Sequence, residues 1–165
     1  MARMTTKMRA KKTAARKGSA RSRVPSRNGA KSAAKPRRPH KFMVNHLREE
    51  DFKPDGLRRY AHYRDLGVKD ATNGMAVAHV IRFRGPCDPK LVSKLHTHAA
   101  DFQMIYVLKG SITTQMEGHG VHTMTAGGAW LQPKNIKHKV LDYSDDCEVL
   151  EIVMPANFKT VELEP

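Results

Sequence analysis

From residue 42 onward, short apolar runs alternate with Gly, Pro, Asn and Asp. This pattern is the feature that most constrains the fold. No stretch after residue 70 has a convincing helical period of 3.6 residues. Short apolar runs bounded by turn residues are typical of β-strands. The predicted strands are Met75–Phe83, Phe102–Leu108, Ser111–Glu117, Val121–Thr125, Ala129–Gln132, Lys137–Asp142 and Glu148–Met154.

This succession of strands predicts an all-β domain. Lys109 and Gly110 separate the second and third predicted strands, so these two strands should form a tight hairpin. Many short strands joined by turns imply a sandwich or barrel of jelly-roll type, an arrangement that limits unpaired strand edges. A chain of 165 residues is long enough for one ordinary domain and too short for two. We therefore predict a single jelly-roll β-barrel over residues 41–165.

The first 41 residues differ sharply in composition from the rest of the chain. They carry 15 of the 30 Lys and Arg residues and none of the 16 Asp and Glu residues. The remaining chain has 15 basic and 16 acidic residues, so the formal charge of +14 comes from the N-terminal segment. A segment with so few apolar residues cannot offset its chain entropy by burial. We predict a disordered Lys/Arg/Ala-rich tail over residues 1–40.

Three interpretations of this tail remain open. It can be a solubilising segment, or upstream sequence from a wrongly chosen start codon. It can also make weak, nonspecific contact with nucleic acid or another polyanion, because a run such as AKKTAARKGSARSR neutralises phosphates without reading base edges. A transit peptide is the third interpretation, although the segment has almost nothing from which to form an apolar face. No helix-turn-helix pattern precedes the barrel, so specific gene regulation is not predicted.

The cysteines and the hydropathy pattern restrict the compartment. Cys87 and Cys147 have neither CxxC nor zinc-finger spacing, so they should stay reduced. No apolar run approaches the roughly 20 residues of a membrane span, and the N-terminus lacks the apolar segment of a secretory signal. These features predict a cytoplasmic protein with no membrane partner.

The triplet His96-Thr97-His98 is the most informative chemical signal. In a strand, side chains i and i+2 point to the same face, so two imidazoles can reach one ion. The triplet alone is weak evidence, because the chain has nine histidines. Gln103 follows five residues after His98, and the loop that begins at Pro133 ends at His138.

The segments HTHAADFQMIYVLKG (residues 96–110) and GGAWLQPKNIKH (residues 127–138) resemble the two motifs of the cupin superfamily. Those motifs read HxH, four residues, Glu, six residues, Gly, and then Gly, five residues, PxG, two residues, His, and the spacings here match both. The resemblance covers residues 75–155 well and residues 42–74 loosely. It implies a small single-domain cupin of the "cupin 2" type, whose barrel is a double-stranded β-helix.

By this resemblance, His96, His98 and His138 fall on the three metal-binding histidines of the family. Gln103 falls where the family usually has glutamate, and Asn135 replaces the PxG glycine, a position where Asn tolerates positive φ. An amide oxygen is neutral and far less basic than a carboxylate, so Gln103 can ligate a metal but is a poor proton acceptor. Alternatively, Gln103 only hydrogen-bonds a metal-bound water and leaves a three-histidine site.

The resemblance implies a divalent transition metal as cofactor. Imidazole and carbonyl donors suit Fe, Mn, Ni, Cu, Co or Zn, and the sequence does not select among them. Strand alternation places residues 103, 105 and 107 on one face, beside the metal. Residues sharing an inward face should line a mostly apolar pocket, namely Ile105, Val107, Val140, His79, Ile81 and Phe83.

Two functions fit these patterns. One is a metal-dependent enzyme, a dioxygenase-like oxidoreductase acting on a diketone, enol or phenol that chelates the ion. The alternative is a non-catalytic module that binds a small ligand or a metal and carries a polyanion-binding tail. Single-barrel cupins commonly pair through strand edges, and the segment Leu57–Leu66 could supply an edge or exchanged strand. We therefore also predict a homodimer.

Overall fold

The computed structural model describes residues 38–56 and 58–163. The predicted disordered tail lies outside the described residues except for residues 38–40. Two four-residue helices, α1 (Val68–Ala71) and α2 (Pro89–Val92), and a short 3-10 turn at Glu49–Asp51 accompany the strands. The strands of the described part are β1 (Ala61–Asp65), β2 (Val77–Phe83), β3 (His96–His98), β4 (Phe102–Lys109), β5 (Ser111–Met116), β6 (Gly120–Thr125), β7 (Ala129–Leu131), β8 (His138–Tyr143), β9 (Glu148–Met154) and β10 (Thr160–Glu162).

The strands form two antiparallel sheets of five strands each. The first sheet has the order β1-β2-β9-β4-β7, and the second has the order β10-β3-β8-β5-β6. Neighbours in each sheet are mostly far apart in sequence, which is the arrangement of a jelly roll. The predicted all-β barrel is therefore confirmed. No helix in the described part of the chain has the length and apolar character needed to cross a membrane.

Each of the seven predicted strands has a counterpart within two residues at either end. The prediction of Glu148–Met154 matches β9 at both ends. The structure adds three strands, of which β3 contains the HxH triplet and β10 pairs with it. The third is β1, which lies within the segment that could supply an edge or exchanged strand, and it occupies one edge of the first sheet.

The core lies between the two sheets. Its main cluster combines Phe83, Val107 and Val149 of the first sheet with Ile112 and Tyr143 of the second. These side chains are buried because strand alternation turns every second residue inward. The polar residues of the candidate site lie on the same inward faces, so the site is enclosed by the barrel.

The predicted hairpin between β4 and β5 is wrong, because the two strands lie in different sheets and do not pair with each other. The chain instead passes from the first sheet to the second through a tight turn at Gly110. This residue has a φ of +67°, a conformation that favours glycine. A Cβ at Gly110 would lie 2.2 Å from Ser144 Oγ and 3.0 Å from Cys147 Cα. The turn therefore requires glycine for its backbone conformation and also for its close packing.

Candidate metal site

Three histidines of the second sheet converge inside the barrel. His96 and His98 point to the same face of β3, and His96 lies directly opposite His138 on the neighbouring strand β8. One ring nitrogen from each histidine lies within 4.8 Å of the other two. The residues are only 5%, 7% and 5% exposed, in the order His96, His98, His138. Three buried imidazoles at this separation could form a metal site.

Backbone contacts fix the tautomers of two of these imidazoles. His96 Nδ1 donates to the carbonyl oxygen of Lys94 at 2.8 Å, and His138 Nδ1 donates to that of Ile136 at 2.9 Å. In a neutral imidazole the other nitrogen is then an acceptor, so the Nε2 atoms of both rings have a lone pair, and that of His138 faces the amino group of Gln132. Histidines that bind metals commonly donate their second ring nitrogen to a carbonyl in this way.

Burial keeps these imidazoles neutral. It lowers the pKa of His96 to about 3 and that of His98 to about 4, with smaller contributions from His138 and the positive charge of Arg58. Burial also lowers the pKa of His138, and Arg58 acts in the same direction. His98 Nδ1 lies 2.8 Å from Thr160 Oγ1, which holds the third ring. Neutral imidazole is the protonation state that a metal ligand needs.

Gln103 lies beside the histidines, on β4 of the first sheet. Its Nε2 donates to Glu151 Oε1 at 2.7 Å, so its carbonyl oxygen is turned the other way. That oxygen accepts a hydrogen bond of 2.9 Å from Gln132 Nε2, which also lies 2.9 Å from His138 Nε2. The amide oxygen of Gln103 and a lone pair of His138 therefore face the same Gln132 amino group.

Glu151 anchors this hydrogen-bonded chain from the centre of the first sheet. His79 Nε2 donates to its Oε2 at 2.8 Å, while Gln103 occupies Oε1. Burial alone would raise the pKa of Glu151, but the hydrogen bond and charge of His79 and the hydrogen bond from Gln103 outweigh burial and lower it. Glu151 is thus an ionised carboxylate with both oxygens occupied. The site therefore contains a carboxylate, which is hydrogen-bonded to Gln103, the residue at the position of the family's glutamate.

A cavity of about 300 Å³ adjoins the histidines. Its walls include five residues that the sequence placed in the pocket, which are His79, Ile81, Phe83, Ile105 and Val140. Val107, the sixth, is fully buried in the core cluster next to Ile105. Four aromatic residues also line it, namely Tyr60, Tyr63, Trp130 and Phe158.

The loop before His138 is held against the histidine strand. Asn135 has a φ of +61°, in agreement with its place at the PxG glycine position. Its backbone N–H donates to the carbonyl oxygen of His98 at 2.9 Å. The left-handed residue therefore ties the second motif to the first and fixes the approach of His138.

Sequence reasoning missed several residues of the cavity, among them Gln132, Glu151 and Arg58. Glu151 had a detectable signal, because it lies between Val149 and Val153 on the inward face of a central strand, where an acidic residue needs a buried partner. Gln132 precedes the proline of the second motif, which does not by itself point to the histidines. Arg58 lies outside regular structure, where side-chain direction has no period.

Comparisons with known proteins agree with this architecture. Residues 87–153 match the family model of the cupin domain, Cupin_2. No curated protein sequence matches the chain significantly. Among solved structures, the polyketide cyclase RemF from Streptomyces resistomycificus has a TM-score of 0.58 at 16% identity, and the match covers 74% of this chain and 87% of that one.

Two further structures show the same fold. KdgF from Halomonas sp. has a TM-score of 0.53 at 17% identity, and the match covers 68% of this chain and 96% of that one. Oxalate decarboxylase from Bacillus subtilis has a TM-score of 0.54 at 17% identity, over 76% of this chain and 34% of that one. Identities this low establish fold and leave the reaction open. Residues 87–153 therefore match the cupin domain, and the described part of the chain has the fold of these solved structures.

Proposed function

We propose that this protein is a metal-dependent enzyme of dioxygenase-like type that acts on a small organic molecule able to chelate the ion. The observation that carries the proposal is the set of three neutral, buried imidazoles beside a cavity of about 300 Å³. Such nitrogen donors suit Fe, Mn, Ni, Cu, Co or Zn. The proposed substrate classes are diketones, enols and phenols.

The residues proposed to hold the ion are His96, His98 and His138, with the carbonyl oxygen of Gln103 as the fourth donor. Glu151 supports this role of Gln103, because it occupies the amide nitrogen and leaves the oxygen directed toward the histidine side. A bound ion of this kind supplies Lewis acidity toward a chelating oxygen and, when it is redox-active, electrons for dioxygen.

The charge of the proposed ligand set favours an anionic substrate. Three imidazoles and one amide leave the double charge of the ion uncompensated, and Glu151 is already committed to His79 and Gln103. An acidic chelating molecule would restore the balance with its own charge. Ile81, Phe83 and other apolar walls exclude water and strengthen that attraction.

The fold does not select the reaction, because the similar solved structures include a polyketide cyclase and an oxalate decarboxylase. The alternative proposal is a binding module in which the barrel holds a ligand or a metal without turnover, and the basic tail contacts polyanions. The two proposals differ in whether a metal-loaded chain consumes substrate.

The test begins with full-length protein purified without chelators, whose metal content is measured by elemental analysis. Oxygen uptake is then recorded with a panel of diketones, enols and catechols. The enzyme proposal expects about one metal ion per chain and uptake with at least one panel member, and chelation should abolish that uptake. Substoichiometric metal contradicts the metal site. Full metal loading with no consumption of any panel member favours the binding module.

A further inference from the structure

A buried arginine beside the histidines points to the chemistry of the substrate, an inference that rests on the proposed function. Arg58 lies just before β1 and lines the same cavity as His96, His98 and His138. Its side chain is 12% exposed, and Nη1 donates to Glu162 Oε1 at 2.8 Å.

The second amino group of the guanidinium has no partner. Nη2 of Arg58 is shielded from solvent and makes no hydrogen bond to any described residue. A buried donor on a charged group is costly to leave unpaired, because it has lost water without replacement. Two other cavity-lining groups share this condition, the hydroxyl of Thr114 and the indole N–H of Trp130. Three residues that line the cavity thus carry a group able to donate a hydrogen bond and without a partner among the described residues.

One basic and one acidic residue line the cavity, and the basic one has an unpaired amino group. Among the described residues that line it, Arg58 is the only Lys or Arg and Glu151 is the only Asp or Glu. Glu151 has both oxygens occupied within the protein. The positive charge of Arg58 contributes to the low pKa of all three histidines, so its field reaches the site.

We propose that Arg58 binds a carboxylate of the substrate, so that the cavity selects small organic acids that also carry a metal-chelating oxygen. Nη2 donates to the carboxylate while Nη1 stays paired with Glu162. Arg58 is then a specificity-determining residue that lies outside both cupin motifs. A carboxylate also provides the negative charge that the neutral ligand set lacks.

The test compares two probes that differ in charge, salicylate and salicylamide, at pH 7. Binding to the Zn(II)-loaded full-length chain is measured by calorimetry, because Zn(II) supports no redox turnover, and zinc content is checked afterwards. Salicylate should bind at least about tenfold more tightly than salicylamide, since the guanidinium attracts a carboxylate more strongly than a neutral amide. Arg58→Gln should remove that preference and leave the affinity for salicylamide unchanged. Arg59→Gln, at the exposed neighbouring position, is the matched control and should change neither affinity.

Two further variants separate recognition from a structural role. Arg58→Lys keeps the positive charge and should retain part of the preference. Glu162→Gln frees Nη1 and removes a competing carboxylate, so salicylate should bind several-fold more tightly. A merely structural Arg58 would instead give equal losses for both probes in Arg58→Gln and a loss in Glu162→Gln.

Equal affinity of the wild-type chain for the two probes, including no binding of either, overturns this inference. An unchanged salicylate affinity in Arg58→Gln would also overturn it. Failure of the wild-type chain to take up Zn(II) contradicts the proposed function instead. In that case the same comparison on the metal-free chain still tests Arg58, because its unpaired amino group belongs to the protein alone.

Discussion

The two sheets give the cavity two sides with different chemistry. The metal-ligand side lies on the second sheet and comprises His96, His98 and His138. The hydrogen-bond side lies on the first sheet and comprises Gln103, Glu151 and His79. On the metal-ligand side, two rings are fixed by carbonyl groups only two residues away in sequence. On the hydrogen-bond side, the partners of Glu151 are 48 and 72 residues away.

Because the partners are close in sequence on one side and distant on the other, the two sides depend on the fold to different degrees. The metal-ligand side is built from short motifs with local supports, so each ring has its orientation once its strand and loop form. The hydrogen-bond side exists only when β2, β9 and β4 lie next to one another in the sheet. We therefore expect metal affinity to depend mostly on the metal-ligand side, and fold stability to depend measurably on the hydrogen-bond side.

The largest expected effect is loss of metal binding from the metal-ligand side. His138→Ala removes one of three nitrogen donors, so Zn(II) affinity should fall by more than the roughly 10- to 100-fold typical of a lost outer-shell partner. Competition with a chromophoric chelator measures this change. His119→Ala is the control, because His119 is exposed and lies outside the cavity. Equal zinc affinity of the two variants would remove His138 from the site.

The metal-ligand side was also the part that the sequence predicted best. The HxH spacing and the loop ending at His138 can each be recognised within a short segment of sequence. Asn135 adopts the positive φ expected at its position. The strands were predictable for the same reason, since alternation is a local pattern. Their ends differ by one or two residues because pairing with neighbours decides where each strand stops.

The hydrogen-bond side could be predicted only in part. Gln103 and His79 were placed at the pocket by spacing and alternation, but their link through Glu151 depends on strand order. The strand order β2-β9-β4 follows from the whole jelly roll and not from any single segment. Arg58 lies outside regular structure, so its cavity-facing position could not be obtained from periodicity at all.

An intermediate effect should come from breaking the hydrogen-bond side. Glu151→Leu leaves the buried N–H groups of Gln103 and His79 without acceptors, so the free energy of unfolding of the metal-free protein should fall by about 3 kcal/mol. Zn(II) affinity should fall by roughly tenfold, because Gln103 loses the contact that orients it. Urea denaturation and chelator competition measure the two changes.

The matched control for this variant is Glu148→Leu, the same change on the same strand. Glu148 pairs with Arg82 in a half-buried position, so its loss should lower the free energy of unfolding by about 1 kcal/mol or less. Similar losses in the two variants would mean that the hydrogen bonds of Glu151 stabilise the fold no more than the ion pair between Glu148 and Arg82 does. The proposed support of Gln103 would then be wrong.

The smallest expected effect separates the two sides by pH. Burial holds the pKa of His96 near 3 and that of His98 near 4, whereas an unfolded chain has a histidine pKa of about 6.5. Below pH 6.5 the unfolded chain therefore binds more protons than the folded one, and stability falls as the pH is lowered. Each such imidazole should cost up to about 2 kcal/mol between pH 6.5 and 5.

On the hydrogen-bond side the sign is the same but the pH window is lower, because the hydrogen bonds and charge that outweigh burial lower the pKa of Glu151 and keep it ionised between pH 6.5 and 5. Its stabilising contribution is lost only as the pH falls further. His96→Gln should therefore reduce the acid-induced loss of stability by up to about 2 kcal/mol, and Glu151→Leu should leave that loss unchanged. Urea denaturation in the presence of a chelator at the two pH values measures both. A smaller loss in Glu151→Leu than in His96→Gln would mean that the carboxylate, and not the imidazoles, titrates between these pH values.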